Sequence, residues 1–146
     1  MRPLKPLALC VLALAPLAAA MAADKAQTEQ ELYEACSGDS QAGMRDCLSR
    51  KADESVKALT AAQKEAAEAL GKWDEDRQYV DHAKARLAAS NQAFPIYRSA
   101  QCELSASLSG GAAGNAHEMG KLACLTELNR HRARQLRDAV ADLPLK

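Results

Sequence analysis

Apolar residues recur at three- and four-residue steps along most of this chain, the spacing that gathers them on one face of an α-helix. One series runs Met44, Leu48, Ala52, Val56, Leu59, Ala66, Leu70, Trp73 and predicts a long helix beginning after the stretch "SGDSQAG". A second, Val80, Ala83, Leu87, Phe94, Tyr97, Leu104, Leu108, predicts a helix from about Asp76 to Leu108. A third, Met119, Leu122, Leu125, Leu128, Leu136, Val140, predicts one from about Ala116 to Val140. "DLPLK" ends it, because proline cannot prolong a helix. Ahead of these, a short polar helix over about Thr28 to Ala35 has Leu32 and Tyr33 as its contacts. No strand is visible in the pattern.

The interruptions refine this picture. Gly71 weakens the first long helix, and "WDEDR" either continues it or restarts a helix with Asp74 as N-cap. Pro95 removes one intrahelical hydrogen bond and crowds the preceding turn. The second long helix therefore either bends near Asn91 to Phe94, the favoured outcome, or is two helices. Gly110 and Gly111 suit helix termination and tolerate positive φ, and Asn115 is placed to cap the helix that follows. Composition agrees with helices: alanine, leucine, glutamate, lysine, arginine and glutamine are the dominant residues. One tryptophan, three tyrosines and one phenylalanine supply little for a large sandwich core. The predicted fold is all-α, a small bundle or hairpin of about four helices.

The first residues obey a different logic. Arg2 and Lys5 precede an apolar run from Leu7 to Leu17, and Ala20-Met21-Ala22 fits a small-residue cleavage signal. The run falls short of the about 20 apolar residues of a membrane-spanning helix, so no membrane span is predicted. Leu9 is large and little apolar chain precedes Cys10, which argues against a lipid-modified cysteine there. Residues 1–22 read as a signal peptide, and the mature protein as periplasmic or secreted. Cleavage removes two basic residues and no acidic one, shifting the formal charge from +0 to −2. A nucleic-acid partner, which needs a concentrated basic face, is excluded on that ground.

Export changes the meaning of the cysteines. Four follow the signal peptide, Cys36, Cys47, Cys102 and Cys124, and an even number in an exported chain reads as two disulfides. Local pairs, Cys36 with Cys47 and Cys102 with Cys124, are favoured because each encloses turn residues, "SGDSQAG" and "SGGAAGN". Loops of this length contribute about 3 kcal/mol apiece by chain entropy. The second bridge would staple a helical hairpin at a glycine-rich tip. Zinc knuckles need cysteines two to four residues apart, and no such pair exists, so no metal or other cofactor is predicted.

Catalytic chemistry is thin. His82, His117 and His131 are scattered, "AHEMG" contains one His-Glu step without a second histidine, and "RSAQC" holds a cysteine already assigned to a bridge. The chain is predicted not to be an enzyme. Arg98 beside Tyr97 reads chiefly as structural, an arginine paired with a carboxylate on a neighbouring helix while Tyr97 packs beneath it. Arg130, Arg132, Arg134 and Arg137 form a basic stripe whose simplest role is to complement the dipole near a helix C-terminus.

Cys36 and Cys47 in "CSGDSQAGMRDCL", followed by "KADESVKAL", resemble the start of the lysozyme inhibitor LprI-like N-terminal domain. The resemblance extends through Leu87, Gln92, Phe94, Tyr97, Arg98 and Cys102 in "RLAASNQAFPIYRSAQC", then to Cys124, Arg132 and Leu136. The resemblance covers about residues 36–140, so the chain divides into the signal peptide (1–22), an N-terminal segment (23–35), an LprI-like helical domain (36–140) and a tail (141–146). It implies an exported helical binding module whose partner is a lysozyme or another cell-envelope protein. A lysozyme cleft holds two working carboxylates, so a tip carrying hydroxyls or a cation suits it. Ser105, Ser107, Ser109 and Lys121 are the candidate contact residues. A structural or stress-related envelope protein without a dedicated ligand is the alternative.

Overall fold

Residues 26–38, 40–111 and 115–146 are described by a computed structural model. The signal peptide assigned from the sequence and residues 112–114 of the glycine-rich turn lie outside these. Helix α1 (Glu29–Cys36) starts at a reciprocal cap: Thr28 Oγ1 accepts from the Glu31 amide and the Glu31 carboxylate accepts from the Thr28 amide. Helix α2 (Gln41–Lys72) begins three residues before the predicted point, because Ser40 caps it by accepting from the Gly43 amide at 3.3 Å. The chain then restarts rather than continuing, with Asp76 instead of Asp74 at the N-cap of α3 (Arg77–Ser107). Helix α4 (Ala116–Val140) has the predicted bounds, but Asn115 sits at its N-cap without a side-chain cap bond. Pro95 lies within α3, which remains one helix.

Helix α4 is the hub. It packs along α2 and α3, while α1 lies against α2 and α4 at one end. There Leu32, Cys36, Leu48, Met119 and Ala123 form an apolar cluster, with Tyr33, Met44 and Leu122 around it. A second cluster, Leu59, Ala62, Ala66, Ala133 and Leu136, occupies the other end, flanked by Leu87, Phe94 and Val140. Alanines dominate that second cluster, and their small side chains suit the close approach of α2 to α4. Both predicted disulfides are present. Cys36–Cys47 ties α1 to α2, and Cys102–Cys124 ties α3 to α4 near the tip, where Gly110 adopts φ 61°.

Between the two clusters lies a polar layer. Ser55 and Asn129 are 0% and 1% exposed. Arg98 Nη1 donates to Asn129 Oδ1 at 2.6 Å, Asn129 Nδ2 donates to Ser55 Oγ at 2.9 Å, and Ser55 Oγ donates to the Ala52 carbonyl at 2.6 Å. A guanidinium has donors only, so it fixes which end of the Asn129 amide faces it and thereby the direction of the whole chain of bonds. The layer joins α3, α4 and α2 in one register.

Two readings of the periodic pattern need correction. Val56 is exposed, and the core position beside it belongs to Ser55, whose hydroxyl is satisfied within its own helix. In α3 the inward line passes through half-buried Phe94 and Arg98 and buried Cys102 and Ala106, leaving Tyr97, Leu104 and Leu108 exposed at 56%, 54% and 79%. Arg98 bonds within the fold as expected, but its partner is an amide rather than a carboxylate, and Tyr97 is left more than half exposed.

The last residues return to the α2–α3 link. Trp73 and Leu145 form an isolated antiparallel bridge, with Asp74 N donating to Pro144 O at 2.8 Å and Lys146 N to Lys72 O at 2.9 Å. These bonds satisfy backbone groups where α2 stops, as Pro144 and Lys146 replace the partners that a continuing helix would have supplied.

Candidate functional site

The stapled tip brings the four candidate residues into one region but gives most of them internal partners. Ser105 Oγ donates to the Glu29 carboxylate at 3.2 Å, anchoring the start of α1. Ser107 Oγ donates to the Leu104 carbonyl, an ordinary bond within its helix. Lys121 pairs with Glu103 across the hairpin, both side chains about half exposed. Ser109 is half-buried, near Gly120 of α4. The apolar surface at this end comes instead from Leu104 and Leu108, which sequence periodicity assigns to the core.

Beneath the tip lies an acidic pair. The Glu127 carboxylate accepts from the Glu29 amide at 2.8 Å, a favourable place for negative charge at the N-terminus of α1. The Glu29 carboxyl is itself pushed above its ordinary value of 4.5, first by burial and further by Glu127, with the Ser105 hydroxyl opposing both. Burial and the Glu29 charge likewise raise the Tyr33 phenol. A raised carboxyl pKa means that the folded state binds a proton more readily than the unfolded one. Stability then falls as pH rises from 4.5 through the folded value. Glu29→Gln keeps an acceptor for Ser105 and removes the buried charge. It is expected to melt slightly higher than wild type at pH 7, with the gap closing below pH 4.5; a variant less stable at pH 7 would contradict this account.

The basic stripe does not act as one surface. Arg130 reaches Glu54 and Gln27, and Arg137 donates to Glu65 at 2.7 Å, both stitching α4 to the α2 side. Arg134 contacts His131. Arg132 turns the other way and donates to Ser90 of α3 at 2.7 Å. There a groove of about 370 Å³ opens between the two helices, lined by Ser90, Ala93, Phe94 and Tyr97 of α3 and by Leu128, His131, Arg132 and Gln135 of α4. His82 and His117 are exposed and do not line it. No group of three or more metal-ligating side chains occurs among the described residues.

A family model for the lysozyme inhibitor LprI matches residues 33–136, most of the chain and all of the disulfide frame. The chain belongs to the LprI family. No curated protein and no solved structure matches it. An LprI domain is named for inhibiting an enzyme rather than for catalysis, and two disulfides in such a domain point to an extracytoplasmic protein. No helix among the described residues is long and apolar enough to cross a membrane.

Proposed function

We propose that this protein is an exported binding module, periplasmic or secreted, that inhibits a lysozyme through the stapled end of the α3–α4 hairpin. Leu104 and Leu108, 54% and 79% exposed beside the bridge, carry this reading: the described residues leave more than half of each leucine to solvent, an apolar surface suited to a partner. Ser105, Ser107, Ser109 and Lys121 form the polar rim of the proposed contact. The Lys121–Glu103 pair is no obstacle. A solvent-exposed ion pair is worth about 0–1 kcal/mol, so Lys121 can leave Glu103 for a carboxylate in a lysozyme cleft at little cost.

Titration of the mature, oxidised protein into several lysozyme types tests this reading. Muramidase activity is expected to fall to a one-to-one end point with at least one of them. Leu108→Asp is expected to weaken inhibition at least tenfold while leaving the melting temperature nearly unchanged, because Leu108 is 79% exposed. Full activity of every lysozyme in the presence of the folded protein would remove inhibition as its function.

A further inference from the structure

The groove between α3 and α4 is built from two matching helical faces. Ser90, Ala93, Phe94, Tyr97 and Leu128, His131, Arg132, Gln135 each follow the spacing i, i+3, i+4, i+7, so both sets project to one side of their helix. Phe94 and Tyr97 contribute aromatic surface and Leu128 aliphatic surface. Apart from Ala93, the remaining lining is polar, and none of it is aspartate or glutamate.

Its charge is unbalanced. The Arg98 and Arg132 guanidinium carbons lie 5.7 and 5.9 Å from the centroid of the Phe94 ring, so two cations share one aromatic ring. Each has a neutral hydrogen-bond partner, Asn129 for Arg98 and Ser90 for Arg132. Among the described residues neither makes an ion pair, whereas Arg130 and Arg137 on the same helix each reach a glutamate. The Nε atoms of both are buried without a protein acceptor. Two guanidiniums held close together, partly desolvated and without a counter-charge, raise the local affinity for an anion. Arg132 lines the groove itself, and Arg98 stands behind Phe94.

The geometry points to a binding site for an organic carboxylate, with the carboxylate at Arg132 and an apolar body against Phe94, Tyr97 and Leu128. A cavity of 370 Å³ lies at the small end of the about 300–1,000 Å³ typical of ligand sites, enough for a group the size of one amino-acid residue. A bare inorganic anion would use the charge and leave the aromatic wall uncovered. A neutral apolar molecule would cover the wall and leave the charge unanswered. This inference does not depend on lysozyme inhibition, because the groove and the proposed tip contact use different residues.

Benzoate and benzamide, nearly equal in shape and different in charge, separate these cases. In two-dimensional amide NMR of the oxidised protein, benzoate is expected to give saturable shifts clustered on 90–97 and 128–135, with a dissociation constant on the order of millimolar. Benzamide and sodium acetate are expected to bind at least tenfold more weakly. Arg132→Gln is expected to remove the benzoate shifts while the rest of the spectrum keeps its folded dispersion. Equal shifts from benzoate and benzamide would overturn the charge assignment, and equal shifts from acetate would overturn the aromatic one. Absence of saturable benzoate shifts in the wild-type protein would overturn the site itself, a result that needs no variant to fold.

Discussion

Asn129→Leu is expected to destabilise the protein by about 3 kcal/mol, although it places an apolar residue in a buried position between two apolar clusters. Among the described residues Asn129 is the one hydrogen-bond acceptor of the Arg98 guanidinium, and its amide also reaches Ser55. Removing it strands a partly buried cation, which costs more than a neutral hydrogen bond contributes. Ser55 is less affected, since its hydroxyl still donates to the Ala52 carbonyl. The layer can be distinguished from simple overpacking by a second substitution. Arg98→Met combined with Asn129→Leu replaces both partners by apolar groups and is expected to recover at least half of the loss. Denaturant unfolding of wild type, both single variants and the double variant measures the coupling. Additive losses would mean that the layer contributes only through packing.

Opening the tip bridge is the second large effect. Cys102→Ala with Cys124→Ala is expected to cost about 3 kcal/mol, from the loop entropy released to the unfolded chain by a bridge spanning 22 residues. For a domain of this size that corresponds to a fall in melting temperature of about 10 °C. Alanine is the better replacement because both positions are buried, at 0% and 2% exposure, and a serine hydroxyl there would need a partner. Inhibition of a lysozyme, where found, is expected to weaken further than the folded fraction alone explains, since a loosened tip must be ordered on binding. Thermal melts and inhibition measured below the transition separate the two effects. Unchanged inhibition by the folded double variant would show that the bridge supports the domain and not the contact.

The elements with local causes were legible in the sequence. Helix α4 starts and ends where its apolar series and the following proline place it, and α1 begins beside Thr28, whose side chain reaches three residues ahead. Both disulfides follow from short separations around turn residues, an effect of chain connectivity that needs no knowledge of the rest of the fold. The hydroxyls and the lysine near the glycine-rich turn could be named from the sequence, but their partners could not. Ser105 meets Glu29 across 76 positions of sequence, and nothing in the local pattern around either residue announces that meeting.

Periodicity shows that a helix has an apolar face, yet it cannot say which of two apolar faces is covered. Helix α3 carries both kinds, and its Leu104 and Leu108 look like core residues until α4 is in place on the side of Cys102 and Ala106. The same ambiguity hides the buried polar layer. Ser55 and Asn129 count as polar in any one-dimensional reading, and only the approach of α2, α3 and α4 gives each a partner and withdraws it from water. The groove depends on tertiary structure in the same way. Its two half-faces carry a regular spacing in the sequence, but their pairing across the α3–α4 interface, and the two arginines left without carboxylates beside Phe94, are fixed by helix packing alone. Local sequence therefore determined the helices and the sulfur bridges. Which faces are buried, and where charge is left uncompensated, was decided by contacts between residues distant in the chain.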